Sequence, residues 1–320
     1  MDGYETDAIP AGTAPDRSGA VSAGPQAGPK RISDGELEAL CRLLIDEEGR
    51  ALEKIRADLS VFLHGDLSLK DKILARKDWA SNPRLQELLA ELRWGDIARS
   101  IEDHMRLGEP RPDLEEAHVL LSSFSGTFRS REDITLPLDR MAEELSPSIE
   151  DAPDPDSVIR VFTHYLFRIQ GFRGNLGDYS DPENSFLHRV LQRKMGIPIT
   201  LSGVCLLLAR RLRWNGRPLP LHGIGLPGHF VVQFDFPEKP VYLDPFNHGR
   251  LMTRADCLEI VRTQKIPFQD SYLRPMEPRA IFARMITNLV CVYSDRDDLR
   301  KRDQLLAYLK LLSPGRDNLS

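Results

Sequence analysis

Apolar positions first settle into a helical rhythm just after Ser33. Ser33-Asp34-Gly35-Glu36 has the form of a capping box, in which a hydroxyl caps the third amide and a carboxylate reaches back. Leu37, Leu40, Cys41 and Leu44 then recur at intervals of three and four, the signature of one helix face. Leu52, Ile55, Leu59 and Phe62 make a second stripe. Asn82 as N-cap with Pro83 at the first helical position opens a third, carried by Leu85, Leu88, Leu89 and Leu92. Ile97, Ile101 and Met105 carry a fourth.

Those stripes pair into two helical hairpins over 33–107, similar to a HEAT-type array. Gly108, Pro110 and Pro112 mark a boundary. Beyond it Asp113 caps a helix through Leu114, Ala117, Leu120 and Leu121, with Glu116 at its third position. Pro137 and Pro147 are expected to punctuate the next stretch. Asp154-Pro155 starts a helix with Val158, Val161, Phe162, Tyr165 and Leu166 on one face. Residues 171–181 read as a loop and 185–195 as a helix. Residues 199–214, ITLSGVCLLLARRLRW, form an apolar helix that turns basic at its C-terminal end, as the helix dipole favours.

After Asn215-Gly216 the period falls to two. Residues 221–224, 229–236 and 241–244 read as strands, and Pro237-Glu238-Lys239-Pro240 as the turn between the last two. A short helix over 256–260 and a helical pair over 278–293 and 297–312 close the chain. A helical region followed by a small antiparallel sheet is the α+β pattern. The first 32 residues, rich in Ala, Gly and Pro, lack the apolar surface that would offset ordering entropy, so a disordered tail is expected there. In the C-terminal segment 275–320, Tyr293 and Pro314 have the separation of the Tyr and Pro of a tetratricopeptide unit. Arg302 stands where that unit has a small residue, so the pair is tetratricopeptide-like at most.

Composition narrows the partner. Among 320 residues, 43 Lys and Arg stand against 48 Asp and Glu, a net charge of -5. That excludes a strongly basic nucleic-acid binder and gives no reason to expect attraction to anionic membranes. No apolar run approaches the roughly 18 residues of a membrane helix, and the first thirty residues show no signal-peptide core. Cys41, Cys205, Cys257 and Cys291 are far apart, which argues against a disulfide framework or zinc site and for a reducing cytoplasm. No cofactor is expected.

The candidate chemistry lies after the apolar helix. His229 begins one expected strand and Asp244 ends the next, so a hairpin turning near Glu238 sets them side by side. A carboxylate beside an imidazole fixes its tautomer and raises its basicity. That is half of a nucleophilic triad. The other half would be a nucleophile at the N-terminus of a packed helix, where the dipole lowers a thiol pKa.

Five strings then bear on one family: GFRGN (171–175), DPENS (181–185), GIPITLS (196–202), LPGHF (226–230) and LDPFN (243–247). Together they resemble the SirB-type branch of the transglutaminase-like superfamily, over 108–265. The resemblance implies a papain-like core, a helix packed on a small antiparallel sheet. Active members open that helix with G-x-C and take His and Asp from the strand ends. His229 and Asp244 match that His and Asp, whereas Pro198 falls where the Cys belongs. Ile199, Thr200 and Ser202 beside it are not thiols, and Cys205 lies two turns further in, where a core role competes with a nucleophilic one. Thr200 and Ser202 are hydroxyl alternatives that would need an aimed base and oxyanion donors, and helix capping competes with that role.

Arg173, Asn175, Asn184 and Asn247 are groove candidates, each with a competing role in shaping a turn. His222 and His229 lack a third ligand at metal-binding spacing. Arg210, Arg211 and Arg213 read as a solvated helix end. The leading expectation is a degenerate triad in a protein- or peptide-binding regulatory module, a pseudoenzyme. One alternative is an amide hydrolase or acyl transferase using Cys205, Thr200 or Ser202 with His229 and Asp244. The other is a purely structural helical adaptor.

Overall fold

The computed structural model describes residues 32–64, 67–106, 113–237 and 239–313. The tail at 1–31, the boundary at 107–112, Glu238 of the hairpin turn and Pro314 lie outside the described residues. The chain divides into two compact units at Leu85/Gln86.

In the first unit, α1 (Asp34–Asp46) begins with the capping box: Ser33 caps the Glu36 amide and Glu36 reaches back to the Ser33 N–H. Leu37, Cys41 and Leu44 of α1 are buried, as are Leu59 and Leu63 of α2 (Arg50–Leu63). Two short helices follow, α3 (Leu67–Ala75) and α4 (Lys77–Ala80). Asn82 caps the start of α5 (Pro83–Arg106), most of which, from Gln86 on, belongs to the second unit, and Arg84 donates to the carbonyls of Leu44, Ile45 and Glu47 at the end of α1.

The second unit holds the α+β core. Its helices are α6 (Leu114–Phe124), α7 (Glu132–Glu150), α8 (Pro155–His164), α9 (Leu187–Arg193) and α10 (Pro198–Arg211). Two residues from each side make a parallel pair, β1 (Arg173–Gly174) with β2 (Met195–Gly196), and β3 (Arg213–Trp214) with β4 (Arg217–Pro218) makes an antiparallel one. The main sheet is antiparallel in the order β5 (Leu221–Ile224), β6 (Val231–Phe236), β7 (Lys239–Asp244) and β8 (Arg250–Met252). Helix α11 (Arg254–Thr263) follows, and α12 (Pro278–Asp295) with α13 (Leu299–Leu312) forms the C-terminal hairpin.

Helix α10 is buried from Pro198 to Ala209, as befits a segment that is apolar on every side. It packs on α6, α7, α9 and α12 and on the sheet. Val232, Phe234, Phe236 and Leu243 of the sheet join its core, while Ile224, Val231, Tyr242 and Met252 on the opposite face pack with Cys257 and Val261 of α11.

Four sequence expectations change. The stripes at Leu85–Leu92 and Ile97–Met105 do not pair as a hairpin, because both lie on the one continuous α5. Pro137 and Pro147 do not punctuate: both lie inside the continuous α7. The buried stripe Ile134, Leu138, Met141, Leu145 and Ile149 outweighs the amide hydrogen bonds those prolines cannot make. The expected strand at 229–236 begins at Val231, leaving His229 in the turn before it, and β8 was not foreseen at all. Arg211 is no solvated end, since it bonds Asp139 at 2.6 Å and Glu115 at 2.8 Å, tying α10 to α7 and α6.

Candidate functional site

The site forms where β6 begins and β7 ends. The register Val232–Leu243 brings these two ends together. The turn Leu226–His229, closed by the His229 N–H on the Leu226 carbonyl at 3.1 Å, then carries the imidazole to the carboxylate. His229 Nε2 lies 2.9 Å from Asp244 Oδ2. Asp244 is 1% exposed and accepts three further bonds. Asn247 Nδ2 donates to Oδ2 at 2.7 Å, and the N–H groups of Phe246 and Asn247 donate to Oδ1 at 3.1 and 3.2 Å. Burial alone would raise this carboxyl, but the hydrogen bond and charge of His229, followed by the bonds from Asn247, outweigh it and hold Asp244 below the usual carboxylate range. An ionised carboxylate only accepts, so His229 donates to it through Nε2.

Glycines bring the surrounding loops close enough to frame this pair. The Gly174 N–H donates to the Phe246 carbonyl at 3.0 Å. A π-helical turn, Tyr165–Ile169, closes α8 with the Gln170 N–H on the Tyr165 carbonyl at 2.8 Å. Its Phe167 ring occupies the space that a side chain on Gly249 would need. Gly249 itself closes the Asp244 turn, its N–H on the Asp244 carbonyl at 2.9 Å. Phe246 stands edge-on to His229 with centroids 6.3 Å apart, and Tyr179 edge-on to Phe246 at 5.8 Å.

Of the other expected site residues, Asn247 touches the pair through Asp244. Asn175 and Asn184 meet each other, Nδ2 to Oδ1 at 3.0 Å. Asn184 is fully buried and donates to the carbonyls of Asp178 at 2.8 Å and Tyr179 at 3.3 Å. These bonds hold the loop 175–181. Asn247 sits in the Asp244 turn, and Arg173 is exposed. His222 pairs across the strands toward Asp235 at 3.9 Å.

No thiol stands in the first turn of α10. The first turn of α10 offers Pro198, Ile199, Thr200 and Leu201, all buried. Cys205 is 1% exposed in the core, and burial drives its thiol far above the usual range, so it carries no nucleophilic thiolate. The Thr200 and Ser202 hydroxyls are buried without a hydrogen-bond partner among the described residues.

Sequence reasoning missed three residues at this site: Phe246, Tyr179 and Arg284. Phe246 lay in plain view inside LDPFN. Arg284, on α12, donates through Nη2 to the carbonyls of Leu226 and His229, both at 2.6 Å, and has no signal near the site in sequence.

A helix buried behind a small antiparallel sheet, with His and Asp joined at the strand ends, defines a transglutaminase-like core. Residues 132–287 match the transglutaminase-like superfamily, so this span carries such a domain. The chain is similar to a UPF0162 protein of Xylella fastidiosa, 36% identical over 137 residues, covering 41% of this chain and 47% of the relative. It is also similar to a UPF0162 protein of Pseudomonas aeruginosa, 29% identical over 191 residues (59% and 67% of the two chains). F-box only protein 21 of Homo sapiens is 27% identical over 161 residues, covering 47% of this chain and 24% of that protein. The chain spans about half the length of the first Xylella relatives it matches. No solved structure matches it, and no described helix is long and apolar enough to cross a membrane.

Proposed function

We propose that this is a SirB-type protein whose transglutaminase-like domain is a degenerate enzyme, binding a protein or peptide in the former catalytic groove. The observation that carries the reading is the His229–Asp244 pair at 2.9 Å, set against an α10 whose first turn has no thiol and whose Cys205 is sealed in the core. An imidazole held by a buried carboxylate still recognises a peptide amide after the attacking group is lost, because that recognition needs only its ring nitrogens. The helical flanks, including the tetratricopeptide-like pair α12 and α13, serve as partner surfaces. A cytoplasmic setting suits the three buried thiols of Cys41, Cys205 and Cys257.

The test is mass spectrometry of a panel of acyl-donor peptides incubated with the protein. The expected outcome is no change in mass. Turnover abolished by His229→Ala would replace this reading with a hydrolase or acyl transferase using a hydroxyl or thiol. A pulldown then compares His229→Ala and Asp244→Ala with the wild type. Loss of a captured partner by a folded variant supports the groove, and unchanged capture supports a structural adaptor.

A further inference from the structure

The main sheet is notched at the end of β7 away from Asp244. β8 stops at Met252, opposite Tyr242, so Pro240 and Val241 of β7 have no strand beyond them on that side. The outer edge of β8 likewise has no backbone partner among the described residues. A cleft of about 510 Å³ occupies this corner, between the sheet and α8. Leu251 and Met252 both line it. Neighbours in a strand point to opposite faces, so a cleft that touches both reaches the backbone edge itself.

Its surface is apolar with two charges of opposite sign. Ile159 of α8, Val241 and Leu251 supply the apolar part, and Leu251 is left 47% exposed. Asp156 and Arg160 stand one turn apart on α8, both exposed to the cleft. Neither has an ion-pair partner among the described residues. Arg160 spends one Nη2 hydrogen on Ser157 Oγ at 2.8 Å, which leaves a two-donor edge of its guanidinium open. Asp154, which caps α8 at the Ser157 N–H, lies near enough to feel that charge without pairing with it. Arg254 also lines the cleft but is already paired with Asp270. A ligand with an ammonium at one end and a carboxylate at the other answers Asp156 and Arg160 together. Side chains at that helical spacing have Cβ atoms about 5–6 Å apart. Two extended residues span up to about 7 Å, and a single amino acid about half of that.

We propose that this notch is a binding site for a zwitterionic dipeptide with apolar side chains. The ammonium pairs with Asp156 and the carboxylate with the open edge of Arg160. The side chains cover Ile159, Val241 and Leu251, and the peptide group bonds the unpaired strand edge beside Met252, as an added strand does. The site is separate from His229 and does not depend on what that groove binds.

The experiment is an NMR titration of the full-length protein, labelled with nitrogen-15, observing the backbone amides of Leu251, Met252 and Thr253. The probes are leucyl-leucine, its N-acetyl form, its C-terminal amide, glycyl-glycine and free leucine. Leucyl-leucine should shift those amides saturably. Blocking either end should weaken binding roughly tenfold, the worth of one hydrogen-bonded charge. Glycyl-glycine, without apolar side chains, and leucine, without the second residue, should bind more weakly still. Asp156→Asn should bind leucyl-leucine and its N-acetyl form alike, and Arg160→Gln should bind leucyl-leucine and its amide alike. Both side chains are exposed, so these variants keep the fold. The proposal is overturned by the absence of a saturable shift at the three amides, by equal wild-type affinity for leucyl-leucine and either blocked form, or by free leucine binding as tightly as the dipeptide. Should a variant be lost, the comparison of probes on the wild type decides alone.

Discussion

The Cβ that Gly174 lacks would lie 2.6 Å from the ring of Phe246. The glycine of GFRGN is thus the seat on which LDPFN rests, and its N–H also bonds the Phe246 carbonyl. Phe246 in turn donates its N–H to Asp244 Oδ1, so the seat bears on the carboxylate that holds His229.

Gly174→Ala should therefore destabilise the protein by about 1–3 kcal/mol in urea unfolding, the usual cost of overpacking, and should shift the His229 ring signals. Combining it with Phe246→Ala removes the ring part of the clash and leaves the Phe246 carbonyl oxygen 2.7 Å from the new Cβ, so the double variant should lose less than the sum of the two singles. Strict additivity in that cycle would show that the two residues do not bear on each other.

Much of this frame was readable beforehand where a local rule coincided with the global fold. Ser33, Asn82, Asp113 and Asp154 were legible as helix starts because capping is a matter of three or four adjacent residues. The meeting of His229 with Asp244 was legible because the hairpin fixes which strand ends adjoin. Pro137 and Pro147 misled because a proline rule is local, whereas the stripe that keeps α7 whole is buried against distant elements. β8 spans only Arg250–Met252, too short for a period of two to register. Arg284 left no trace because it acts on backbone carbonyls, which no side-chain pattern encodes. The bond between Asn175 and Asn184 depends on a loop path that spacing does not reveal.

Asn247 supplies Asp244 with a side-chain bond at 2.7 Å and a backbone bond at 3.2 Å. Asn247→Ala removes the first. A hydrogen bond to a charged group contributes about 1.5–3 kcal/mol, so urea unfolding near neutral pH should show a loss of that order. The Asp244 carboxyl should also rise, which carbon-13 titration of that side chain reads directly. An unmoved titration would mean that His229 and the backbone amides suffice.

The four cysteines should separate cleanly. Cys291 is exposed, while Cys41, Cys205 and Cys257 are buried. Burial pushes the Cys41 thiol up to about 11. Burial, then the nearby Asp256 and Asp244 carboxylates, push Cys257 up to about 12. A thiol near 11 carries roughly two orders of magnitude less thiolate than a free one near 8.5. Native protein should therefore take up one equivalent of iodoacetamide, at Cys291, and four in urea. Fast native labelling of Cys205 would place a reactive sulfur where the structure has core.

Acid should destabilise the second unit well above the carboxylate range, because two imidazoles are buried in their neutral form. His118 on α6 is 1% exposed, both its ring nitrogens lack partners among the described residues, and its ring fills the space a side chain on Gly203 of α10 would need. Burial, then the charge of Arg210, depresses its pKa to about 3. His188 bonds Thr127 at 3.0 Å through Nε2, and burial, then Arg189, depresses it to about 4. An unfolded chain takes up these protons near 6.5, and the folded chain does not until about 3 to 4. The unfolded state thus binds more protons throughout that interval, so stability is full above 6.5 and falls as pH drops through it. Each imidazole should remove about 2 kcal/mol between pH 7.5 and pH 5. Asp244, held low in the folded state, adds a loss in the same direction at still lower pH. Urea unfolding across this range should show the decline, and His118→Gln, which cannot titrate, should flatten it by about half. A wild-type curve that stays level down to pH 5 would mean these rings gain protons in the folded protein as readily as in the unfolded chain.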